Sequence, residues 1–183
     1  MTASSLLFAW VRRWGAKGLA LLVFLPMTMA TFGQDLSEYQ IKAGFLYNFA
    51  VLTGWPSEVG SKLNLCVYGP DPFGPDLDVL NGKTVGVRKL EVQRKSVGES
   101  LQSCQLVFIS HREAGHIPRL LEMLRGKPVL TVADSPGATH QGVMLNLLTN
   151  QGRIAFEVNQ GAARNARLSL SANLLRLALE VLP

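Results

Sequence analysis

Histidines are the first side chains to consider for metal binding or acid–base chemistry in this 183-residue sequence. There are three: His111, His116 and His140. His111 and His116 are five residues apart, which is poor spacing for two ligands on one helical face. The residues around them do not supply a complete set of metal ligands. We therefore expect histidines in solvent-exposed loops, with no metal and no cofactor.

Nucleophilic catalysis has equally little support. Ser110 precedes His111, but adjacent residues on a strand point to opposite faces, and the sequence has no Gly-x-Ser-x-Gly motif. The segment Asp71-Pro-Phe-Gly-Pro75 lacks the glycine pattern of a nucleotide phosphate loop. We therefore expect that the protein is not an enzyme. Because strand-end loops often hold binding sites in α/β proteins, Asp71, Ser110 and Asp134 are candidate ligand-binding residues.

A second group of candidate residues lies near the C-terminus. Arg164 and Arg167 fall in the first two turns of a predicted closing helix, where positive charge opposes the helix dipole. Two explanations are open: the arginines meet an anion or an acidic partner, or they pair with Glu157 or another local carboxylate. The predicted partner-binding surface comprises Glu157, Arg164, Arg167 and Ser171.

The N-terminal segment resembles a secretory signal peptide. Basic residues Arg12, Arg13 and Lys17 precede the apolar run 19–25, and small residues follow to Ala30. We predict a signal peptide over residues 1–30, with cleavage near Ala30 or as late as Gly33. An uncleaved anchor is the alternative, although the apolar run is shorter than the roughly 20 residues that span a bilayer.

Removal of the leader on export would lower the net charge of the protein. The formal net charge of +5 includes the three basic residues of the leader, so the mature chain has fifteen basic and thirteen acidic residues. A net charge of +2 without a basic cluster argues against nucleic-acid binding.

Export also affects the two cysteines, Cys66 and Cys104, which lie on or beside predicted strands. Paired cysteines in an exported chain usually form a disulfide, while two buried thiols are the alternative. A bridge would close a loop of about 38 residues and stabilise the fold by roughly 4 kcal/mol. There is no Cys-x-x-Cys motif of a thiol oxidoreductase.

Hydrophobic periodicity predicts a single α/β domain over residues 35–182. Ser37 and Gln40 form a capping-box signature, so a helix is expected from Ser37 to about Thr53. We predict a mixed sheet of about six strands with helices on both faces, an antiparallel C-terminal hairpin and a long closing helix. The predicted strands cover 63–69, 85–92, 106–109, 128–132, 143–148 and 153–158, and the later helices cover 113–124 and 161–182.

Several segments together resemble the YfiR-like family of periplasmic regulators, also described as YfiR/HmsC-like. The resemblance spans roughly residues 35–180. The motifs that carry it are Tyr39-Gln-Ile-Lys-Ala-Gly-Phe-Leu-Tyr-Asn-Phe49, Trp55-Pro56, Leu65-Cys-Val-Tyr-Gly-Pro-Asp-Pro-Phe-Gly74, Cys104-Gln-Leu-Val-Phe-Ile109, Val129-Leu-Thr-Val-Ala-Asp134 and Gly152-Arg-Ile-Ala-Phe-Glu-Val-Asn159.

The resemblance implies a non-catalytic periplasmic protein that binds the periplasmic sensor domain of an inner-membrane sensor or diguanylate cyclase. Such binding restrains cyclic di-GMP synthesis and biofilm formation. The resemblance also implies a possible homodimer. Cys66 and Cys104 match one disulfide position of the family, whereas a second pair has no counterpart because residues 142–152 contain no cysteine. The alternative function is a periplasmic protein that binds or senses a small ligand.

Overall fold

The structure is a computed structural model that describes residues 36–183. The predicted signal peptide lies outside these residues. Helix α1 (Glu38–Val51) begins at the predicted position, because the Ser37 hydroxyl accepts a hydrogen bond from the Gln40 backbone and the Gln40 side chain accepts one from the Ser37 backbone. This confirms the capping box. No helix among residues 36–183 is long and apolar enough to cross a bilayer.

The remaining elements alternate between short strands and short helices. A two-residue strand, β1 (Thr53–Gly54), follows α1. The other elements, in chain order, are β2 (Lys62–Tyr68), a 3-10 helix (Gly74–Leu80), β3 (Thr84–Val85), β4 (Arg88–Lys95), β5 (Leu106–Ile109), a 3-10 helix (His111–His116), α2 (Ile117–Leu124), β6 (Leu130–Ala133), a 3-10 helix (Thr139–Gln141), β7 (Leu145–Asn150), β8 (Arg153–Asn159), α3 (Gln160–Asn165), β9 (Ser169–Leu170), α4 (Ala172–Leu177) and β10 (Glu180–Leu182).

Eight strands form the main sheet, in the order β10-β8-β7-β6-β5-β2-β4-β3. The strands from β4 to β7 are parallel, and β7 and β8 form the predicted antiparallel hairpin. The mixed α/β class is confirmed, but the strand count differs from about six. One predicted strand over 85–92 divides into β3 and β4 at Gly86, whose φ of 59° turns the chain back on itself.

Helices cover both faces of this sheet. On the first face, α1, α3 and α4 contribute Leu46, Ala163 and Leu174 to one buried core, which includes Leu65, Phe108 and Val132 of the sheet. On the second face, α2 contributes Ile117, Leu120 and Leu124 to a smaller core with Val107 and Ile109. The short strands β5 and β6 are buried over their whole length, as expected for strands covered on two sides.

The predicted closing helix over 161–182 is wrong. Helix α3 ends at Asn165, Arg167 adopts a left-handed conformation with φ of 60°, and β9 then pairs with β1. Ser171 caps α4 by accepting a hydrogen bond from the Leu174 backbone. Two short helices, α3 and α4, and two short strands, β9 and β10, therefore replace the single predicted helix. The sequence Leu168-Ser-Leu-Ser171 alternates with the period of a strand and interrupts the helical pattern.

Cys66 and Cys104 form a disulfide, with their Cα atoms 5.9 Å apart. Cys66 lies on β2, and Cys104 lies shortly before the adjacent parallel strand β5. Both side chains are buried in the second core beneath α2. The disulfide, rather than two buried thiols, is the state of this pair.

Candidate functional site

The connections that follow β2 and β5 run to opposite faces of the sheet. After β2, the loop from Gly69 leads to a 3-10 helix whose Leu77 and Leu80 join the first core. After β5, Ser110 precedes a 3-10 helix that leads into α2 on the second face. Adjacent parallel strands whose connections diverge in this way leave a crevice at their carboxyl ends, where open α/β sheets commonly bind ligands.

Two neighbouring cavities occupy this crevice. One, of about 330 Å³, is lined by Tyr39, Asp71, Ser110 and His111 among others. The other, of about 310 Å³, extends towards the end of β6 and includes Lys42 and Asp134 as well as Tyr39 and His111. Because Tyr39 and His111 line both cavities, we treat the two as one site, called the strand-end crevice.

A buried ion cluster forms the floor of the strand-end crevice. The Lys42 ammonium nitrogen lies 2.7 Å from a carboxylate oxygen of Glu38 and 2.8 Å from Oδ2 of Asp134. The side chains of Lys42 and Asp134 are only 4% and 2% exposed, so this pair is shielded from water. The Tyr39 hydroxyl donates to Oδ2 of Asp134 at 3.4 Å, and the Lys42 ammonium lies 4.6 Å from the centre of the Tyr39 ring.

The ion cluster favours the charged form of Lys42. Burial disfavours the charged ammonium, but the hydrogen bonds to Asp134 and Glu38 outweigh this penalty and raise the pKa of Lys42 above its ordinary value. The hydrogen bond from Lys42 lowers the pKa of Glu38. Burial, reinforced by the charge of Asp134, raises the pKa of the Tyr39 phenol. At neutral pH Lys42 is therefore an ammonium, Glu38 is a carboxylate and Tyr39 is a neutral phenol.

Three buried polar atoms around this cluster have no hydrogen-bond partner among the described residues: Oδ1 of Asp134, Oγ of Ser110 and Oγ of Ser135. Ser110 lines one cavity and Asp134 the other, whereas Ser135 lines neither. Buried polar groups are nearly always paired, so the unpaired atoms of Ser110 and Asp134 indicate a place for a bound molecule or water. Among residues 36–183, no base lies within hydrogen-bond distance of the Ser110 hydroxyl.

Gly69 allows the two sides of the crevice to approach each other. Its φ of 87° lies in the left-handed region, and a Cβ atom at this position would lie 2.4 Å from Cγ of Glu113. Glu113 is buried in the 3-10 helix after β5 and forms a hydrogen bond of 2.7 Å with His116. Glycine at this position therefore permits close contact between the β2 exit and the β5 exit.

A comparison with known protein families identifies the family of this chain. Residues 39–179 match the YfiR/HmsC-like family, which is most of the chain. The chain belongs to the YfiR/HmsC-like family. This confirms the resemblance noted in the sequence, and members of the family are periplasmic, non-catalytic regulators.

One solved structure of similar fold is a conserved domain protein from Vibrio cholerae O1 biovar El Tor. The two structures agree with a TM-score of 0.54 at 11% sequence identity, and the match covers 80% of this chain. It covers 61% of the Vibrio chain, which is less than two thirds of that protein's length. At this identity the likeness concerns the fold alone.

Within this YfiR/HmsC-like domain, the sheet brings together the three residues predicted for ligand binding. Asp71 follows β2, Ser110 follows β5 and Asp134 follows β6, so all three lie at one edge of parallel strands. Asp71 also accepts hydrogen bonds from the Phe73 backbone and from Arg94, which holds the loop in place.

Sequence interpretation missed the contribution of α1 to this site. Glu38, Tyr39 and Lys42 lie in its first turns. The buried residues of α1 include Lys42 together with the apolar Leu46 and Phe49. The spacing of Glu38 and Lys42 by four residues was the available signal, because it predicts an ion pair along a helix.

The four residues predicted for partner binding do not form one cluster. Glu157 lies on β8 and accepts hydrogen bonds from Thr139 at 3.0 Å and from Asn146 at 3.3 Å. Arg167 pairs with Glu58 rather than with Glu157, and Ser171 is the cap of α4. Arg164 is exposed and makes no ion pair with residues 36–183.

Proposed function

We propose that this protein is an exported periplasmic regulator that restrains an inner-membrane signalling protein, most specifically a diguanylate cyclase, by binding its periplasmic sensor domain. The observation that carries the proposal is the family match over residues 39–179, which includes nearly all of the described chain. The disulfide between Cys66 and Cys104 supports export, because such bonds persist in oxidising compartments.

The proposed contact surface is the C-terminal edge, defined here as Leu177, Leu179 and Val181. Leu177 and Leu179 are 69% and 70% exposed, and β10 is the outermost strand of the sheet. Exposed apolar side chains beside an unpaired strand edge are typical of interaction sites. Helix α3 contacts β10 and carries the exposed Arg164, so an acidic partner would meet both features. Of the other residues predicted for partner binding, Arg167 is paired with Glu58, and Glu157 and Ser171 make hydrogen bonds within the chain.

Gene deletion tests the proposed regulation in cells. Loss of a restraining protein raises cyclic di-GMP under conditions in which the protein is normally expressed. Re-expression of the full chain should restore the lower level. An unchanged cyclic di-GMP level after deletion would contradict restraint of a cyclase, although it would leave binding to another membrane protein to be measured directly.

Capture of the partner tests the contact surface. Exported protein immobilised on resin should retain a cyclase from solubilised inner membrane, and Leu179→Asp should reduce that retention because it places a charge in the apolar edge. Val87→Asp is the matched control, since Val87 is 87% exposed on a different part of the chain. Equal retention by both variants would exclude the C-terminal edge. Light scattering of the same preparations measures whether the protein forms the expected homodimer.

A periplasmic small-ligand sensor is the second candidate function. The observation that favours it is the strand-end crevice, with two cavities and the unpaired buried atoms of Ser110 and Asp134, where the connections after β2 and β5 run to opposite faces of the sheet. A thermal-shift screen with nucleotides, aromatic compounds and peptidoglycan fragments tests it, because a ligand that binds only the folded state raises the unfolding temperature. A silent screen would count against this function and leave the regulatory proposal intact.

A further inference from the structure

The sheet has a gap between the amino-terminal ends of β6 and β7. Strand β6 pairs with β5 from Leu130 onwards, whereas its pairing with β7 begins only at Val132. One residue before β7, the Met144 N–H donates a hydrogen bond to the hydroxyl oxygen of Thr131 at 3.1 Å. Thr131 and Met144 line a cavity of about 510 Å³ at this gap, which we call the sheet-gap cavity. It lies at the opposite ends of the strands from the strand-end crevice.

The walls of the sheet-gap cavity come from both cores. Leu124 belongs to the second core, whereas Met144 and Ala166 belong to the first. Gly142 brings the loop before β7 close to α2, because its φ of 102° lies in the left-handed region and a Cβ atom there would lie 3.2 Å from Cδ1 of Leu121. The cavity therefore lies between α2 and the end of α3, and apolar side chains from both cores meet in it.

The charged groups around the cavity are paired with one another. Of the described residues that line it, Glu122 and Arg125 are the charged ones, and they form an ion pair at the end of α2. Their side chains are 64% and 78% exposed, so this pair lies on the solvent side. Close by, Arg167 donates a hydrogen bond to the carbonyl of Gly126 at 3.2 Å and forms an ion pair with Glu58. The lining residues therefore offer no unpaired charge to a ligand.

This lining favours an uncharged ligand over a charged one. A carboxylate or an ammonium group would leave water and find no unpaired charge of opposite sign in the cavity, which is unfavourable. Residues 36–183 contain no group of three or more His, Cys, Asp and Glu side chains placed to hold a metal ion. The exposed amides of Gln141 and Asn165 can donate or accept hydrogen bonds at the mouth. The volume falls in the range of roughly 300–1,000 Å³ that is typical of small-molecule sites.

We propose that the sheet-gap cavity binds a small uncharged molecule whose apolar body contacts both cores and whose polar group lies beside Gln141 and Asn165. This inference goes beyond the proposed regulatory function, and it concerns a different site from the strand-end crevice. A ligand that fills the space between α2 and α3 stabilises the folded chain, because it binds the folded state and not the unfolded one.

The test compares three probes that share one ring and differ in charge. Purified exported protein is titrated with cyclohexylmethanol, with cyclohexylmethylamine, which is an ammonium ion at neutral pH, or with cyclohexanecarboxylate. Binding is measured by calorimetry and by thermal shift. The proposal predicts a saturable response to the alcohol. The two charged probes should bind at least about tenfold more weakly, since each loses its hydration without gaining an oppositely charged partner.

Two variants fill the sheet-gap cavity. Ala162 is partly buried on α3 and lines the cavity, so Ala162→Phe places a ring in its space. Gln141 is exposed, so Gln141→Trp covers the mouth and leaves both cores unchanged; it decides the outcome if Ala162→Phe fails to fold. Each variant should weaken binding of the alcohol by at least about tenfold. Ala172→Phe is the matched control and should bind like the unchanged protein, because Ala172 is exposed on α4 and lies outside the cavity.

Several outcomes would overturn the proposal. Equal binding of the alcohol by the Gln141→Trp and Ala172→Phe variants would show that the probe binds elsewhere. A charged probe that binds as tightly as the alcohol would contradict the uncharged ligand class, and no saturable response to the alcohol would mean that the cavity is not a ligand site. Loss of alcohol binding in Ser110→Ala would place the probe in the strand-end crevice instead. Cyclase capture is measured separately and does not depend on any of these probes.

Discussion

The strand-end crevice and the second core are built on the same two strands but differ in character. Beneath α2, β2 and β5 contribute Cys66, Val107 and Ile109 to an apolar core that is closed by the disulfide with Cys104. Beyond the carboxyl ends of these strands, the crevice contains unpaired polar atoms and an ion cluster formed by α1 and by Asp134, which follows β6. Well-satisfied cores stabilise a fold, whereas unpaired buried groups lower stability and often mark binding sites. The apolar end of these strands thus contributes to stability, whereas the other end contains the candidate binding site.

Removing the disulfide should have the largest effect on stability. The double variant Cys66→Ala, Cys104→Ala loses a covalent link across 38 residues. We expect the free energy of unfolding to fall by about 4 kcal/mol, from the loop-closure entropy of the unfolded chain. Urea denaturation measures this loss, and unchanged protein treated with a reductant should show a similar shift.

The same variant tests whether stability and binding are separate. Under conditions in which it remains folded, its affinity for a crevice ligand should equal that of the unchanged protein, because neither cysteine lines the two cavities. A large loss of affinity would contradict the comparison and show that the disulfide holds the crevice in shape.

Replacing Lys42 with methionine should have the next largest effect. The substitution keeps a long side chain but leaves the Asp134 carboxylate buried without its ammonium partner. Breaking a buried ion pair from one side typically costs about 3 kcal/mol or more. Lys62→Met is the matched control, because the Lys62 and Glu91 side chains are 67% and 38% exposed and such pairs contribute less than about 1 kcal/mol. Equal losses in urea denaturation would mean that the cluster is not effectively buried.

Gly69→Ala should destabilise by a smaller amount, about 2 kcal/mol, since it adds left-handed strain and a clash with Glu113. Gly98→Ala separates these two causes. Gly98 has nearly the same φ, 91° against 87° for Gly69, but a Cβ atom there would meet nothing within 4 Å. If both variants lose the same free energy in thermal or urea unfolding, the close approach between the β2 and β5 exits contributes nothing.

Sequence patterns predicted the part of the fold that depends on neighbouring residues. The capping box of Ser37 and Gln40 located the start of α1, and continuous apolar runs located β5 and β6. The closing segment failed because Arg167 takes a left-handed conformation and β9 pairs with β1, a strand more than a hundred residues earlier. Tertiary pairing of this kind overrides local helix propensity.

In the candidate site, too, features that follow from local sequence were predictable, and features that depend on distant residues were not. Asp71, Ser110 and Asp134 were predictable because each follows a strand, and parallel strands bring their carboxyl ends together. Lys42 was not predictable as a site residue, since its main partner Asp134 lies 92 residues away in sequence. A lysine on an amphipathic helix is ordinarily exposed, and only the assembled sheet shows that this one is buried.

Acid should weaken the ion cluster slightly, and this is the smallest effect expected. The hydrogen bond from Lys42 lowers the pKa of Glu38 below its ordinary value of 4.5. The unfolded chain therefore binds this proton more readily than the folded one, so the stabilisation is present above pH 4.5 and is lost as pH falls through the lower folded pKa. Because Glu38 is 44% exposed, the effect should remain below about 1 kcal/mol.

Glu38→Gln tests this acid dependence. The variant should be slightly less stable than the unchanged protein at pH 7, and the two should converge in acid, since a protonated Glu38 resembles glutamine. Glu91→Gln is the control for losing one carboxylate from an exposed pair on the sheet. Urea midpoints across this pH range measure the convergence. A constant difference at every pH would show that Glu38 contributes through its contact with Thr149 rather than through the charge of Lys42, and the ion cluster would then be reduced to Lys42 and Asp134.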